Sequence, residues 1–273
     1  MYSRRKYNRA HQGQRGDDLA YDNGEWIMHG LAWNDPYRIR TYKELTAWVD
    51  ETGFLPLFAG DIKGFSAEEH VSPDYWWTGN REQDPWEWRE LIAAEHEVAY
   101  GKFFGGKAGF ISKNWLPYFA NCRREGYDFD SRYQDGRANF REKLIMDFFI
   151  GEDENGDTVY KRDEILSTEL KKLAGFGKGG EKNYPGIITN LQMQLYLVIT
   201  DFRRRQNKKG EEYGMSVSVM LPPEAVWGYD LVTSAYDEPP QTSWQRIYDH
   251  VRKSYPDADE KDITAVIGKR PAE

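Results

Sequence analysis

The sequence predicts an α+β fold that carries a winged helix-turn-helix unit, three helices plus a β-hairpin wing, packed with an N-terminal α+β region. Three observations predict it. The second half of the chain runs helix, helix, helix, strand, basic turn, strand. The spacing of its apolar residues switches from a period of 3.6 to a period of 2 near Leu197. Charge is also unevenly placed: residues 41–100 hold thirteen acids against four bases, whereas residues 161–226 hold eleven bases against eight acids. A local basic stretch inside a chain of net charge −8 is the footprint of a nucleic-acid contact that the overall balance conceals.

The elements follow in order. Residues 1–36 are a polar arm with Arg4, Arg5, Lys6, Arg9 and Arg15 and little periodicity. Residues 37–135 form an acidic, aromatic-rich α+β region. Thr41-Tyr-Lys-Glu44 reads as a capping box, Leu45, Trp48 and Val49 have helical spacing, and Gly53 stops the helix. Asp84-Pro85 pairs an N-cap with a proline at the first helical position and opens a helix to about Ala93. Residues 98–104 and 107–111 flank Gly105-Gly106 as a β-hairpin, and residues 112–124 read as a helix with Pro117 near its start.

Residues 136–226 are the expected winged unit. Residues 137–149 are spaced as a helix with Phe140, Leu144, Ile145 and Phe148 on one face, and residues 151–157 are an acidic loop. Ser167 caps a helix over 168–174, a glycine-rich link covers 175–180, and Ile188, Leu191 and Leu195 place a third helix over 185–194. The β-branched run after Leu197 and the alternation of Met215, Val217, Val219 and Leu221 give two strands joined by a turn at 207–210, and Pro222-Pro223 stops the second. A C-terminal helical segment, 227–273, holds capped helices over 243–253 and 259–267.

Composition excludes several classes. Aromatic residues are 15% of the chain, which is incompatible with disorder over most of its length. No apolar run exceeds about five residues, too short to cross a bilayer, and the basic start is not followed by the apolar stretch of a secretory signal. A cytoplasmic protein is expected. The single cysteine, Cys122, excludes a disulfide framework and a thiolate metal site, and His11, His29, His70, His96 and His250 show no metal-ligand spacing, so no metal and no cofactor are expected.

Four patterns are candidates for chemistry. Gly175-Phe-Gly177-Lys-Gly179-Gly180 fits G-x-G-x-x-G, but a helix and not a strand precedes it and Lys178 is followed by glycine, so no nucleotide cofactor is expected. Lys178, Lys182 and the link's N–H groups beside a helix start suit a backbone phosphate instead. Asp153-Glu-Asn155-Gly156-Asp157 resembles part of a calcium loop, yet Gly151 and Arg162 occupy positions that require carboxylates, which leaves a solvated turn. Arg203, Arg204, Arg205, Lys208 and Lys209 read either as a charged edge strand or as a wing on DNA phosphates. On the preceding helix Thr189, Gln192 and Tyr196 are the candidates for a groove-facing surface, Gln being suited to adenine edges.

The patch Tyr75-Trp76-Trp77 and Trp86-Glu87-Trp88 reads as core, or as a platform for a flipped base. Glu87, Glu90, Glu95, Glu97 and His96 could supply an acid or base, with no pairing visible in the sequence.

Phe54-Leu-Pro-Leu-Phe58, Tyr75-Trp-Trp-Thr-Gly79, Asp84-Pro-Trp-Glu-Trp-Arg89, Tyr100-Gly-Lys-Phe-Phe104, Trp115-Leu-Pro-Tyr-Phe119 and Gly175-Phe-Gly-Lys-Gly-Gly-Glu-Lys182 together resemble bacterial AlkZ-related proteins over roughly residues 37–255. The resemblance implies a winged-helix protein associated with DNA and its repair. The AlkZ-type DNA glycosylases to which that group is similar are built from winged-helix units, remove alkylated or crosslinked bases and carry a catalytic Gln-apolar-Gln or Gln-apolar-Asp motif. Gln192-Met193-Gln194 matches those letters, which makes Gln192 and Gln194 the catalytic candidates; in the glycosylases the motif lies near the chain start, and here it lies late.

Three expectations therefore stand. The first is a winged-helix protein that binds double-stranded DNA. The second is a DNA glycosylase, and the third is a protein-interaction module that binds no DNA.

Overall fold

The computed structural model describes residues 28–156, 158–207 and 209–272, with the backbone of 21–22 and 25–26. Most of the polar arm, and Lys208 of the basic cluster, lie outside the described residues. Helix α1 (Tyr42–Thr52) starts where Thr41 Oγ1 accepts the Glu44 N–H. The Glu44 carboxylate reaches past the cap to the Arg40 N–H at 2.6 Å. The chain then enters β1 (Phe54–Pro56), buried throughout. Helix α2 (Pro85–Glu95) is opened by the buried Asp84, whose carboxylate accepts from the N–H groups of Trp77, Gly79 and Trp86 and so ties the preceding loop to the helix start.

Strands β2 (Val98–Phe104) and β3 (Lys107–Ser112) form the expected hairpin. Gly105 and Gly106 take φ of 58° and 79°, the left-handed pair that a two-residue turn of matching twist requires. Helix α3 (Leu116–Arg124) begins four residues later than the expected start, with Pro117 in its first turn.

Several elements after residue 128 went unexpected and one is shorter than its periodicity suggests. Helix α4 (Phe129–Gln134) buries only Phe129. Helix α5 (Phe140–Met146) replaces the expected 137–149, because Asn139 and Glu142 form a reciprocal capping box that fixes its start. The expected apolar face is corrected as well: Phe140 is 58% exposed while Ile145 is sealed. The acidic loop is a small hairpin, β4 (Ile150–Glu152) on β5 (Thr158–Tyr160), whose turn is held by Asp153 Oδ1 accepting from the Asn155 N–H at 2.8 Å.

Helices α6 (Ser167–Leu173) and α7 (Tyr184–Met193) precede the long hairpin β6 (Val198–Gln206) and β7 (Glu212–Leu221). Leu195, at φ 61°, breaks the chain between helix and strand. The turn closes where Gly210 N–H donates to Asn207 O, at the expected residues. Pro222-Pro223 ends β7 and at once starts α8 (Pro223–Trp227), followed by α9 (Tyr229–Thr233), α10 (Pro240–Ser254) and α11 (Glu260–Ile267).

The five-stranded sheet has the order β1-β3-β2-β6-β7, antiparallel throughout. Strand β6 joins the first half of the chain at the pairing of Tyr100 with Ile199, so the root of the long hairpin belongs to the same sheet as the Gly-Gly hairpin. Two apolar clusters pack on this sheet. One gathers α1, α2, α3, α10 and α11 around Phe54, Trp88 and Phe119; the other gathers α5, α6 and α7 around Phe149, Leu191 and Leu197. Ile199 and Val226 touch both. No helix among the described residues is long and apolar enough to cross a membrane.

Candidate nucleic-acid interface and an adjoining cleft

The outer half of the β6–β7 hairpin emerges from the sheet, and residues 203–207 and 209–215 are exposed along it. A register shift between Arg203 and Arg205 and the positive φ of Gly214 (75°) bend β7 there. The basic cluster divides by partner. Arg203 is committed to carboxylates: its Nε donates to Asp201 Oδ2 at 2.7 Å and its Nη2 to Glu164, and these hydrogen bonds push its pKa further up. Arg204 and Lys209 have no carboxylate partner among the described residues, and Arg205 lies over the Tyr213 ring at 5.8 Å. The cations of the hairpin's end without a carboxylate partner among the described residues are therefore Arg204, Arg205 and Lys209, while Arg203 is exposed and paired with Glu164 and Asp201.

Helix α7 does not present a groove-reading face, which corrects the expectation for Gln192 and Tyr196. Gln192 is 2% exposed. Its Oε1 accepts the Lys102 N–H of β2 at 3.0 Å, and its Nε2 donates to Ile188 O at 3.1 Å. Tyr196 is buried, and its hydroxyl donates to Tyr127 O at 2.9 Å. Thr189 is half-buried beside the Gly105-Gly106 turn. Gln194 Nε2 donates to Glu142 Oε1 at 3.0 Å, the same oxygen that receives Asn190 Nδ2. The two glutamines of the motif thus engage different elements, β2 and α5, and do not converge on one point. The physical reason is that α7 is wedged between the sheet and α5, leaving mainly its first turn at Asn183, Pro185 and Gly186 exposed.

The glycine-rich segment is a closed loop. Phe176 is buried against Tyr184, with ring centroids 5.3 Å apart. The N–H groups of Phe176, Gly177, Gly180 and Glu181 donate to main-chain carbonyls within the loop and at Lys171. Those four donors are occupied and are not offered to a phosphate. Lys178 and Lys182 remain exposed on it.

Between the outer hairpin, the start of α2 and the segment before α6 lies a cleft of about 790 Å³, lined by Arg81, Glu87, Glu90, Glu164, Arg204 and Ser216 among others. Its most constructed feature is Glu90. Arg89 is buried between two rings, its guanidinium 3.9 Å from the Trp86 centroid and 4.4 Å from that of Phe202. From there Nη2 donates to Glu90 Oε1 at 3.1 Å, and Ser216 Oγ donates to the same oxygen at 2.5 Å. Oε2 has no hydrogen bond to the described protein and is not sealed from solvent.

Glu87 lies one turn earlier on the same helix face. Burial first, then the Glu90 and Asp84 carboxylates, raise its pKa. A carboxyl that takes up a proton readily beside one held by a guanidinium and a hydroxyl is an arrangement suited to acid–base chemistry. The sequence names both acids but not their pairing, which Arg89 and Ser216 create from 126 residues apart along the chain at the widest. The tryptophans behave as core: Trp76 and Trp88 are buried, and Arg89 occupies a face of Trp86.

Compared with known proteins, the chain matches a family model described as AlkZ related, over residues 39–268. No curated protein and no solved structure matches it.

Proposed function

The chain belongs to the AlkZ-related family, and on that premise we propose that it binds double-stranded DNA in a repair-associated role through the β6–β7 hairpin. In this reading residues 136–226 are a winged unit, set between the acidic region 37–135 and the helical segment 227–273. Its contact with DNA is made by the wing and not by a recognition helix. The observation that carries the reading is the hairpin's end, where Arg204, Arg205 and Lys209 stand exposed without carboxylate partners among the described residues, while Arg203 is held by Asp201 and Glu164 beneath them. Cations placed this way neutralise backbone phosphates and release counterions. Lys178 and Lys182 on the closed glycine loop are further phosphate contacts. The test is the affinity for a duplex oligomer as a function of salt. A log–log slope near zero leaves the hairpin a charged edge and makes the chain a protein-interaction module.

A second reading, excision of a damaged base, is favoured by the cleft at the wing's root. There Glu90 is held with one oxygen free, and Glu87 gains a proton readily. As the bond between base and sugar breaks, Glu90 would stabilise positive charge developing on the sugar, Glu87 would deliver a proton to the departing base, and water would add its hydroxyl to the sugar carbon and return a proton to Glu87. Release of free base from alkylated duplex DNA by the wild type, and its loss in Glu90→Gln, is the result this reading requires. Absence of release by the wild type confines the protein to binding.

A further inference from the structure

A second cavity, of about 390 Å³, lies across the molecule's C-terminal end, where α3, α7 and α11 finish close together. Its apolar wall comes from Phe103, Met193, Ile267 and Pro271. Its polar wall is basic: Arg123, Lys269 and Arg270, against one acid, Glu125, whose carboxylate already accepts from Arg137 Nη1 at 2.6 Å.

Arg123 is the last-turn residue of α3, half-buried, with its guanidinium over the Phe119 ring at 4.7 Å. It has no carboxylate partner among the described residues. Nη1 donates to Met193 O at 3.0 Å and Nη2 to Ile267 O at 3.4 Å, the terminal carbonyls of α7 and α11. Two helix ends offset roughly one positive charge. The excess charge of the cavity is therefore that of Lys269 and Arg270, neither of which has an ion-pair partner among the described residues. A guanidinium carries five N–H donors. Arg123 Nε makes no hydrogen bond to the described protein, yet it is not among the nitrogens sealed from solvent, in contrast to the Nε atoms of Arg89, Arg124 and Arg132.

We propose that this cavity binds a small organic anion, a phosphate monoester or carboxylate with an apolar body. Its head group accepts from Arg123, Lys269 and Arg270, and its body lies against Phe103 and Met193. The chemistry follows from the walls: donors with unused capacity on one side, hydrocarbon on the other, and a volume of about 390 Å³ that admits a ring and a head group. Burial supports it, because desolvation pulls the Arg123 pKa down to about 10, and an anion would restore the lost stabilisation. Lys269 and Arg270 are exposed at the rim, so they set the anion's affinity without holding the fold.

The test uses the full chain with phenyl phosphate as probe, read by calorimetry and by the rise in melting temperature. Saturable binding in the millimolar range or tighter is expected, with no response to phenol. In Lys269→Ala/Arg270→Ala the melting temperature without ligand should be unchanged. Affinity for the probe should fall by about tenfold, which is about 1.4 kcal/mol, because exposed rim cations contribute modestly. A duplex bearing a 5′-phosphate that competes with the probe identifies a nucleic-acid end as the source of the head group; one that does not compete identifies a free small molecule. Non-saturable binding, equal binding by the double variant, or an equal response to phenol overturns the proposal. Loss of the wing's contribution to DNA affinity would leave all of these outcomes unaffected, since the two sites share no residue.

Discussion

Gln192 carries two different meanings depending on what surrounds it. As a letter in Gln-apolar-Gln it is a candidate for positioning water; as a side chain it bolts α7 to β2 through the Lys102 N–H. Replacing it with Ala leaves that donor without its acceptor, a loss of about 1–3 kcal/mol. Gln192→Ala is therefore expected to lower the free energy of unfolding by that amount, seen as a lower urea midpoint at an unchanged slope, with duplex affinity per folded molecule unchanged. An unaltered midpoint combined with lost base release would restore a chemical role. Glu87 offers a pH-resolved test. Its folded pKa is raised, so the folded state holds the proton more tightly than the unfolded chain does. The stability it contributes is present at acidic pH, below the unfolded carboxylate value, and is lost as pH rises through the folded one. Glu87→Gln removes this penalty. The variant should melt above the wild type at neutral pH, and the gap should close towards acid. A gap independent of pH would mean that Glu87 is not the titrating group.

At the level of elements, the hairpin is a lever whose root is core and whose end is solvent. The triple variant Arg204→Ala/Arg205→Ala/Lys209→Ala should make the salt slope of duplex binding shallower by about 2.7 if each cation meets one phosphate. Its melting temperature should hold, because exposed charges contribute little to stability. Arg203→Ala serves as the control: its partners are Asp201 and Glu164, so the slope should stay as it was. A slope change in Arg203→Ala equal to that of the others would show that its ion pairs open on DNA. The one apolar side chain that the glycine loop buries is Phe176. Phe176→Ala should cost about 3–5 kcal/mol. It should also open the loop to trypsin at Lys178 and Lys182, which an intact loop resists. Equal cleavage of wild type and variant would show that the main-chain hydrogen bonds alone hold it.

Across the whole molecule, the two apolar clusters are tied by a buried ion pair. Arg124, at the end of α3, donates to Glu224 of α8 and to Leu195 O, and its guanidinium lies 4.5 Å from the Tyr196 ring centroid. The pair's side chains are almost wholly excluded from solvent. Removing one partner of such a pair leaves an uncompensated buried charge, a loss of about 3–5 kcal/mol. Glu224→Gln is expected to show that loss in a single cooperative transition, because the charge it strands sits between the clusters. Two separated transitions, with only one of them shifted, would mean that the clusters unfold independently.

Local signals were enough for much of the fold. The N-cap at Asp84, the Gly105-Gly106 turn, the switch from helix to strand near Leu197 and the turn at 207–210 are decided by residues within a few positions of one another, so they could be read from the chain. The capping box that shortens α5 is equally local, and a reading of Asn139 and Glu142 together would have found it. The basic end of the hairpin was legible as composition. What the sequence could not decide is which of its charges are spent. Arg203 meets Glu164, 39 residues away, Glu90 meets Ser216, 126 residues away, and Gln192 meets Lys102, 90 residues away. Contacts at such separations exist only once the sheet has brought β2, β6 and β7 together. For that reason the tertiary structure alone separates a braced arginine from those without a carboxylate partner among the described residues, brings Ser216 onto Glu90, and converts a motif that resembles a catalytic one into a bolt between helix and sheet.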